Sequence, residues 1–217
     1  MKQILNQKLT AKDVLNIFIE EHKIFSHFDV EADPNAEINS NSTIKDWRDA
    51  NDLLPWYKLY PFLNEKYNMD FSEEVWKEIL EPEKTKKLMV VCEFIAKNSK
   101  YTNIESIKLF GNECLEAAVF RRLKENLEKK NVTNIKPSSK LSDYLDEHLE
   151  IIITEILHLS KGKKIIDKIE RKRQKEGFLN YINVFDKNRF IYSIPQINTF
   201  KDLIFKIIKV ESEFLKN

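Results

Sequence analysis

Three aspartates recur at a spacing of three: Asp46, Asp49 and Asp52. Carboxylates gathered in this way can share acid–base work or hold a hard cation. Equally, they can form a solvated acidic face, and Asp46 or Asp49 would suit a helix cap. A second group, His22, His27, Asp29 and Asp33, has the side chains of metal ligands. His22 and His27 are five apart, which turns them away from one another on a helix, whereas helical zinc sites pair histidines four apart. No metal and no other cofactor is expected. The third group is the run Lys161–Lys175, with 8 basic and 2 acidic residues. Within it Lys163, Lys164, Arg171, Lys172 and Arg173 could follow the phosphates of a nucleic acid; a solvated, salt-bridged helix has the same composition. Cys92 and Cys114 lie in helix-like apolar patterns and read as free thiols of a reducing compartment. The chain has no G-x-S-x-G, no P-loop and no dinucleotide glycine pattern. With 3 Gly in 217 residues, a phosphate-cradling loop is disfavoured.

The elements that must position these groups are helical. So few glycines suit long helices better than sandwiches or barrels, which need glycine at turns and bends. Hydrophobic residues make up 42% of the chain, and 14 of them are Phe, enough for a packed core. The length allows one large domain or two small ones. The net charge of +1 hides an asymmetry. Residues 1–83 hold 9 Lys and Arg against 17 Asp and Glu, a net of −8, and the remainder holds 27 against 18, a net of +9. That split predicts two regions with different surfaces, which either face each other or each steer a different partner. No leader-like segment and no apolar run near the roughly 18 residues of a membrane span is present. A soluble, cytoplasmic protein is expected.

Thr10 with Asp13 predicts a helix start, and Val14, Ile17, Phe18, Phe25 and Phe28 give that helix an apolar face. Asp29–Ser42 is rich in Asp, Asn, Ser and Pro and reads as a long polar loop. Pro55 suits a first helical turn, opening a helix to about Tyr67 with Leu59, Phe62, Leu63 and Tyr67 on one face and Pro61 as an internal break. Ser72 opens a helix to about Leu80, and Leu88, Val91, Cys92 and Ile95 mark the next. Gly111 precedes a strongly periodic helix through Leu115, Val119, Leu123 and Leu127. Further helices are expected over Leu141–Leu159, over the basic run Lys161–Gln174 and over Thr199–Leu215, with a β-hairpin pairing Tyr181–Phe185 with Arg189–Ser193.

The run from Asp52 to Phe71, D-L-L-P-W-Y-K-L-Y-P-F-L-N-E-K-Y-N-M-D-F, resembles the acyl carrier protein family without its serine. Asp52 takes the place of the aspartate before the phosphopantetheine serine, and Leu53 stands where that serine should be. Leucine has no hydroxyl, so no phosphodiester can form there. Lys58-Leu59 falls where the family has Glu-Leu, Tyr67-Asn68-Met69-Asp70-Phe71 where it has Phe-Gly-Ile-Glu-Ile, and Thr85–Ile95 on its threonine-capped last helix. The resemblance spans about 85 N-terminal residues and implies a helical bundle in which Asp52 begins the helix packed on Ala11–Phe28. Further on, Ile135–Leu145 resembles the loop after the family's first helix, and Thr199-Phe200-Lys201-Asp202-Leu203-Ile204 its last helix. The two sets of segments are offset by 97 residues (Ile44 to Leu141) and by 114 (Thr85 to Thr199), which suggests a diverged second copy with an insertion.

These observations predict a mainly α-helical protein. Residues 1–100 would form an acyl carrier protein-like bundle. Residues 101–217 would form a second helical domain with a small hairpin. The expected role is non-catalytic: an interaction or scaffold protein that docks a protein partner through Asp52, Leu53, Trp56, Tyr57 and Tyr60, because aromatic side chains are favoured interface anchors. Two alternatives remain: nucleic-acid binding through the basic run, and metal-dependent catalysis by the acidic loop. A membrane partner is not expected.

Overall fold

The computed structural model describes residues 2–173 and 190–214. The chain is mainly α-helical, with three small two-stranded sheets among the described residues. No described helix is long and apolar enough to cross a membrane. The chain divides into two compact units. The first is Ile4–Ile104 with Leu157–Lys163; the second is Met1–Gln3, Glu105–Ile156 and Lys164–Asn217.

In the first unit, β1 (Ile4–Leu5) leads into α1 (Ala11–Phe25). Thr10 caps α1 in a complete capping box with Asp13, which satisfies two of the amides that a helix start leaves unpaired. Val14, Leu15, Ile17 and Phe18 are buried along one face of α1 and pack against α5 (Leu88–Asn98), whose Leu88, Val91, Cys92 and Ile95 are all fully buried. Between them come α2 (Ile44–Ala50), α3 (Trp56–Lys66) and α4 (Glu73–Leu80). Helix α2 begins just after the polar loop Asp29–Ser42, where Thr43 and Asp46 form a second capping box. Asn64 fastens α3 to α4. Its Oδ1 accepts from Trp76 Nε1 at 2.9 Å, and its Nδ2 donates to the Phe71 carbonyl at 2.8 Å. The segment Leu157–Lys163 is laid against α1 so closely that a Cβ on Gly162, at φ +66°, would come within 2.3 Å of the Ile17 amide nitrogen. Only glycine fits that position.

The second unit is built on α6 (Leu115–Lys129), α7 (Ser142–Leu159) and α8 (Phe200–Phe214), with the final residues of α7 belonging to the first unit. Ala118, Val119, Leu123 and Leu127 of α6 and Phe200, Leu203, Ile204 and Ile207 of α8 are buried, and the two helices pack together. Helix α7 is kinked at His148, whose φ of −130° is not helical.

Several expectations are corrected. The stretch before α6 is not a plain lead-in: β2 (Ile104–Glu105) is followed by an antiparallel hairpin of β3 (Ile107–Leu109) and β4 (Asn112–Cys114). The basic run Lys161–Gln174 is not a helix as far as it is described. It turns at Lys161 and Gly162, both with positive φ, and ends in β5 (Glu170–Arg173). Strand β5 pairs antiparallel with β6 (Phe190–Ser193). The expected strand Tyr181–Phe185 lies outside the described residues. Asp52 does not begin a helix: it sits at φ +47° between α2 and α3, and Pro55 occupies the position before α3. Thr85 likewise precedes α5 without capping it; Lys87 is the residue before that helix.

Candidate functional site

The three aspartates do not converge. Asp46 faces back into its capping box, where the Thr43 backbone amide donates to it at 2.7 Å and holds its carboxyl below the usual carboxylate range, with smaller contributions from the Thr43 side chain and from Lys87 and Lys45. Asp49 pairs with Lys45. Asp52 points instead toward Glu31. A hydrogen bond shared with Asp52, followed by the negative charges of Asp52 and then Asp29, pushes the Glu31 carboxyl above its ordinary range. The result is an exposed acidic trio of Asp29, Glu31 and Asp52 just ahead of α3.

Beside that trio the chain from Leu53 to Leu54 is held rigidly. The Leu53 amide donates to the Arg48 carbonyl at 3.0 Å, and Arg48 returns bonds from Nε to the Leu54 carbonyl at 3.1 Å and from Nη2 to the Leu53 carbonyl at 3.4 Å. The remaining guanidinium nitrogen of Arg48 is paired with Glu83. Helix α3 follows directly. Leu59 and Leu63 turn inward, while Tyr57, Pro61 and Phe62 turn outward. Leu54, just ahead of α3, is 46% exposed, and Tyr57 and Phe62 on α3 are 51% and 58% exposed, a set of large apolar groups left in solvent. Trp56 and Tyr60 are half-buried, with Trp56 packed edge-on against Tyr57 at 5.9 Å. Leu53 is half-buried and Asp52 exposed. Of the five residues expected to meet a partner, Tyr57 and Asp52 are the most accessible. Leu54 and Phe62 join them; Phe62 falls on the solvent side of α3 rather than the inner face on which the spacing places it.

His22 and His27 are separated as their spacing requires. His22 is buried, with Nδ1 3.1 Å from Asn51 Oδ1 and Nε2 3.1 Å from the Ala36 carbonyl, so it ties the polar segment to α1. His27 is exposed. Among the described residues no three His, Cys, Asp or Glu side chains are grouped to hold a metal ion. In the basic run, Lys164 pairs with Asp167 at 3.0 Å, Lys172 with Glu170 at 3.4 Å, and the Arg171 guanidinium stacks 3.4 Å from the Phe190 ring centroid. Lys163 and Lys164 fall in different units. Arg173 lies in β5. The run is therefore partly neutralised by its own acids and is not the continuous cationic face of a helix.

A polar cluster inside the first unit carries no local signature. Tyr67 is fully buried, 5.1 Å from the His158 ring, and His158 Nδ1 lies 3.2 Å from the Tyr101 hydroxyl. Glu21 pairs through one oxygen with Lys66 at 2.5 Å. The Tyr67 hydroxyl and the other Glu21 oxygen are buried without a hydrogen-bond partner. Burial, reinforced by the charge of Glu21, keeps the Tyr67 phenol well above its usual range, and burial pushes the Cys92 thiol up to about 12. Both groups are protonated at neutral pH, so neither is poised as a nucleophile. Comparison with protein-family models, curated proteins and solved structures finds nothing that matches this chain.

Proposed function

We propose that this protein is a non-catalytic interaction module. Its first unit docks a partner protein through the broad outward side of α3, where Tyr57 and Phe62, five apart, stand at the two edges with Pro61 between them and Leu54 just ahead of the helix, and the partner segment is basic and amphipathic. The observation that carries this reading is the half-exposed Tyr57 and Phe62 on α3, an element fixed by Asn64 on one side and by the Arg48 hydrogen bonds ahead of it. Exposed apolar groups on a rigid support lose little conformational entropy on binding, and aromatic side chains dominate interface energetics. The sign of the partner follows from the acidic trio at the head of α3. Asp29, Glu31 and Asp52 already crowd one another, and a Lys or Arg from the partner would relieve that repulsion. The carrier resemblance does not carry the reading, because Asp52 does not begin a helix as that resemblance requires. Leu53, at the position assigned to the serine, leaves no place for a prosthetic group, and the reading needs none.

A synthetic Lys- and Leu-rich helical peptide is the probe, titrated calorimetrically into the full chain. Binding should weaken by about tenfold or more in Tyr57→Ser/Phe62→Ser. It should also fall with added salt and in Asp52→Asn. Unchanged circular dichroism would show that the variants are folded. Equal affinity of the double variant and the native chain, or no binding by the native chain, would overturn the reading.

A further inference from the structure

The basic run of the second unit has no part in the α3 surface. Its isoleucines, Ile165, Ile166 and Ile169, are buried and anchor the stretch that leads into β5. Both of its acids are engaged: Asp167 pairs with Lys164 at 3.0 Å and with Lys206 of α8 at 3.9 Å, and Glu170 pairs with Lys172. Side chains alternate along a strand, so Glu170 and Lys172 lie on one face of the β5–β6 pair and Arg171 on the other. Arg171 stands opposite Tyr192 in the register, and Phe190, two residues from Tyr192, shares that face. There the Arg171 guanidinium lies 3.4 Å from the Phe190 ring centroid, while Arg171 itself stays exposed. One plane of the guanidinium is thus covered by a ring and the other is open to solvent. Asp146 of α7 accepts from the Tyr192 amide at 3.1 Å, which helps to fix β6. Helix α8 repeats the pairing of cation and ring. Lys201, Phe205 and Lys209 are exposed and four apart, so they share one outward stripe about two turns long. Lys201 Nζ is 5.6 Å from the Phe205 ring centroid. Lys206, one position on from Phe205, ties α8 to the basic run through Asp167.

We infer that the second unit binds single-stranded nucleic acid. Unpaired bases stack on the open plane of Arg171 and on Phe205, and Lys168, Lys201 and Lys209, all exposed, meet the phosphates. Charge and shape together select this ligand. Cations whose local acids are already engaged attract a polyanion. Guanidinium and aromatic planes accept the π-face of any base, whereas a duplex keeps its base faces stacked inside. An anionic bilayer fits less well, because it needs a continuous apolar face, and here Phe205 is bracketed by Lys201 and Lys209. Every residue of this surface belongs to the second unit, and none is shared with α3.

The test titrates the full chain into a labelled single-stranded oligothymidylate of about 16 nucleotides and follows its fluorescence anisotropy. The native chain should bind, with an affinity that falls steeply as salt rises. Arg171→Lys keeps the charge but removes the plane, and should bind about tenfold more weakly. Phe205→Ser leaves every charge in place and should bind about fivefold more weakly. Both side chains are exposed, and circular dichroism checks that the variants are folded. The same strand annealed to its complement, and vesicles of an anionic phospholipid, should bind less tightly than the single strand. Tyr57→Ser/Phe62→Ser should bind the oligonucleotide as the native chain does, which separates a failure here from a failure of the α3 surface. No binding by the native chain would overturn the proposal. So would undiminished binding by Arg171→Lys or by Phe205→Ser, which would leave only a general attraction of charge, or a duplex or vesicle bound as tightly as the single strand.

Discussion

Each unit contains the same small clamp, built from different residues. In the first, Thr43 bridges Lys87: the Ile44 amide donates to the Lys86 carbonyl and the Leu88 amide to the Ser42 carbonyl, each at 3.0 Å. In the second, Lys140 bridges Thr199: the Leu141 amide donates to the Asn198 carbonyl at 2.9 Å and the Phe200 amide to the Ser139 carbonyl at 3.3 Å. In both, two antiparallel segments exchange one pair of hydrogen bonds at the points where two helices begin, and the residue after each bridge is fully buried. The clamps differ in two respects. The capping box lies on the first segment in one unit, Thr43 with Asp46, and on the second in the other, Thr199 with Asp202. What the chain inserts between the clamped segments also differs: α3 and α4 in the first unit, β5 and β6 in the second. The clamp is thus a frame that tolerates unlike inserts, and the first insert bears the surface assigned to a partner.

The sharpest way to break the comparison is to empty the buried position behind each bridge. Ile44→Ala and Leu141→Ala should each cost about 3 kcal/mol, from lost transfer energy and the cavity left behind. Urea unfolding of the two variants measures this. If one costs less than about 1 kcal/mol, that clamp is peripheral to its unit and the two are not equivalent. A smaller effect separates the caps. Thr43→Ala and Thr199→Ala should each cost about 1 kcal/mol, the usual worth of an N-cap hydroxyl, despite lying on opposite segments of their clamps. A clear inequality between them would show that the position of the cap within the clamp matters.

Much of the frame is legible in the sequence, for physical reasons that also mark where legibility ends. Helices α1, α5 and α6 carry apolar residues at helical spacing over several turns, and most of the residues that spacing indicates are buried, but Phe25 is half-buried and Phe28 lies beyond the end of α1, where Glu20 and His22 take buried places. The Thr10 cap is legible because its signal is local. The 97-residue offset between Ile44 and Leu141 matches the clamps, since each follows a bridging residue. The offset assigned to Thr85 does not: Thr199 corresponds in geometry to Lys87, two residues later. The threonine signal attracted the match, whereas the bridge depends on backbone pairing, which any residue can supply. Helix α2 is short, and its capping box is hidden among other polar residues. The β3–β4 hairpin escapes notice because its strands are three residues each and its turn is Phe-Gly rather than Asn-Gly. The basic run has good helix formers and buried isoleucines at 165, 166 and 169, but a turn at Lys161 and Gly162 opens it and pairing with β6 takes Glu170–Arg173 into a strand. Tyr57 was legible as a surface aromatic. The cluster of Glu21, Tyr67, Tyr101 and His158 was not, because only the tertiary fold brings together residues so far apart in the chain.

The smallest expected effect is a difference in acid response. Asp46 and Asp202 occupy equivalent roles in their caps, and threonine hydrogen bonds hold both carboxyls below the ordinary range. A folded-state pKa below the unfolded value contributes stability that is present above the unfolded pKa, about 4, and is lost as pH falls through the folded value. Glu31 has the opposite sign. Its folded pKa is raised by Asp52 and Asp29, so protonating it favours the folded state as pH falls through that raised value. As pH falls toward about 4 the first unit should therefore gain stability relative to the second, because relief at Glu31 comes before the losses at Asp46 and Asp202, which set in only below that pH. Carboxyl titrations followed by NMR should place Glu31 highest of the three, with Asp46 and Asp202 both below an ordinary aspartate. Glu31→Gln should abolish the difference in hydrogen-exchange protection between α5 and α8 over that range without altering Asp202. If Asp46 and Asp202 titrated like free aspartates, the capping boxes would not persist in solution, and the correspondence between the clamps would reduce to backbone pairing alone.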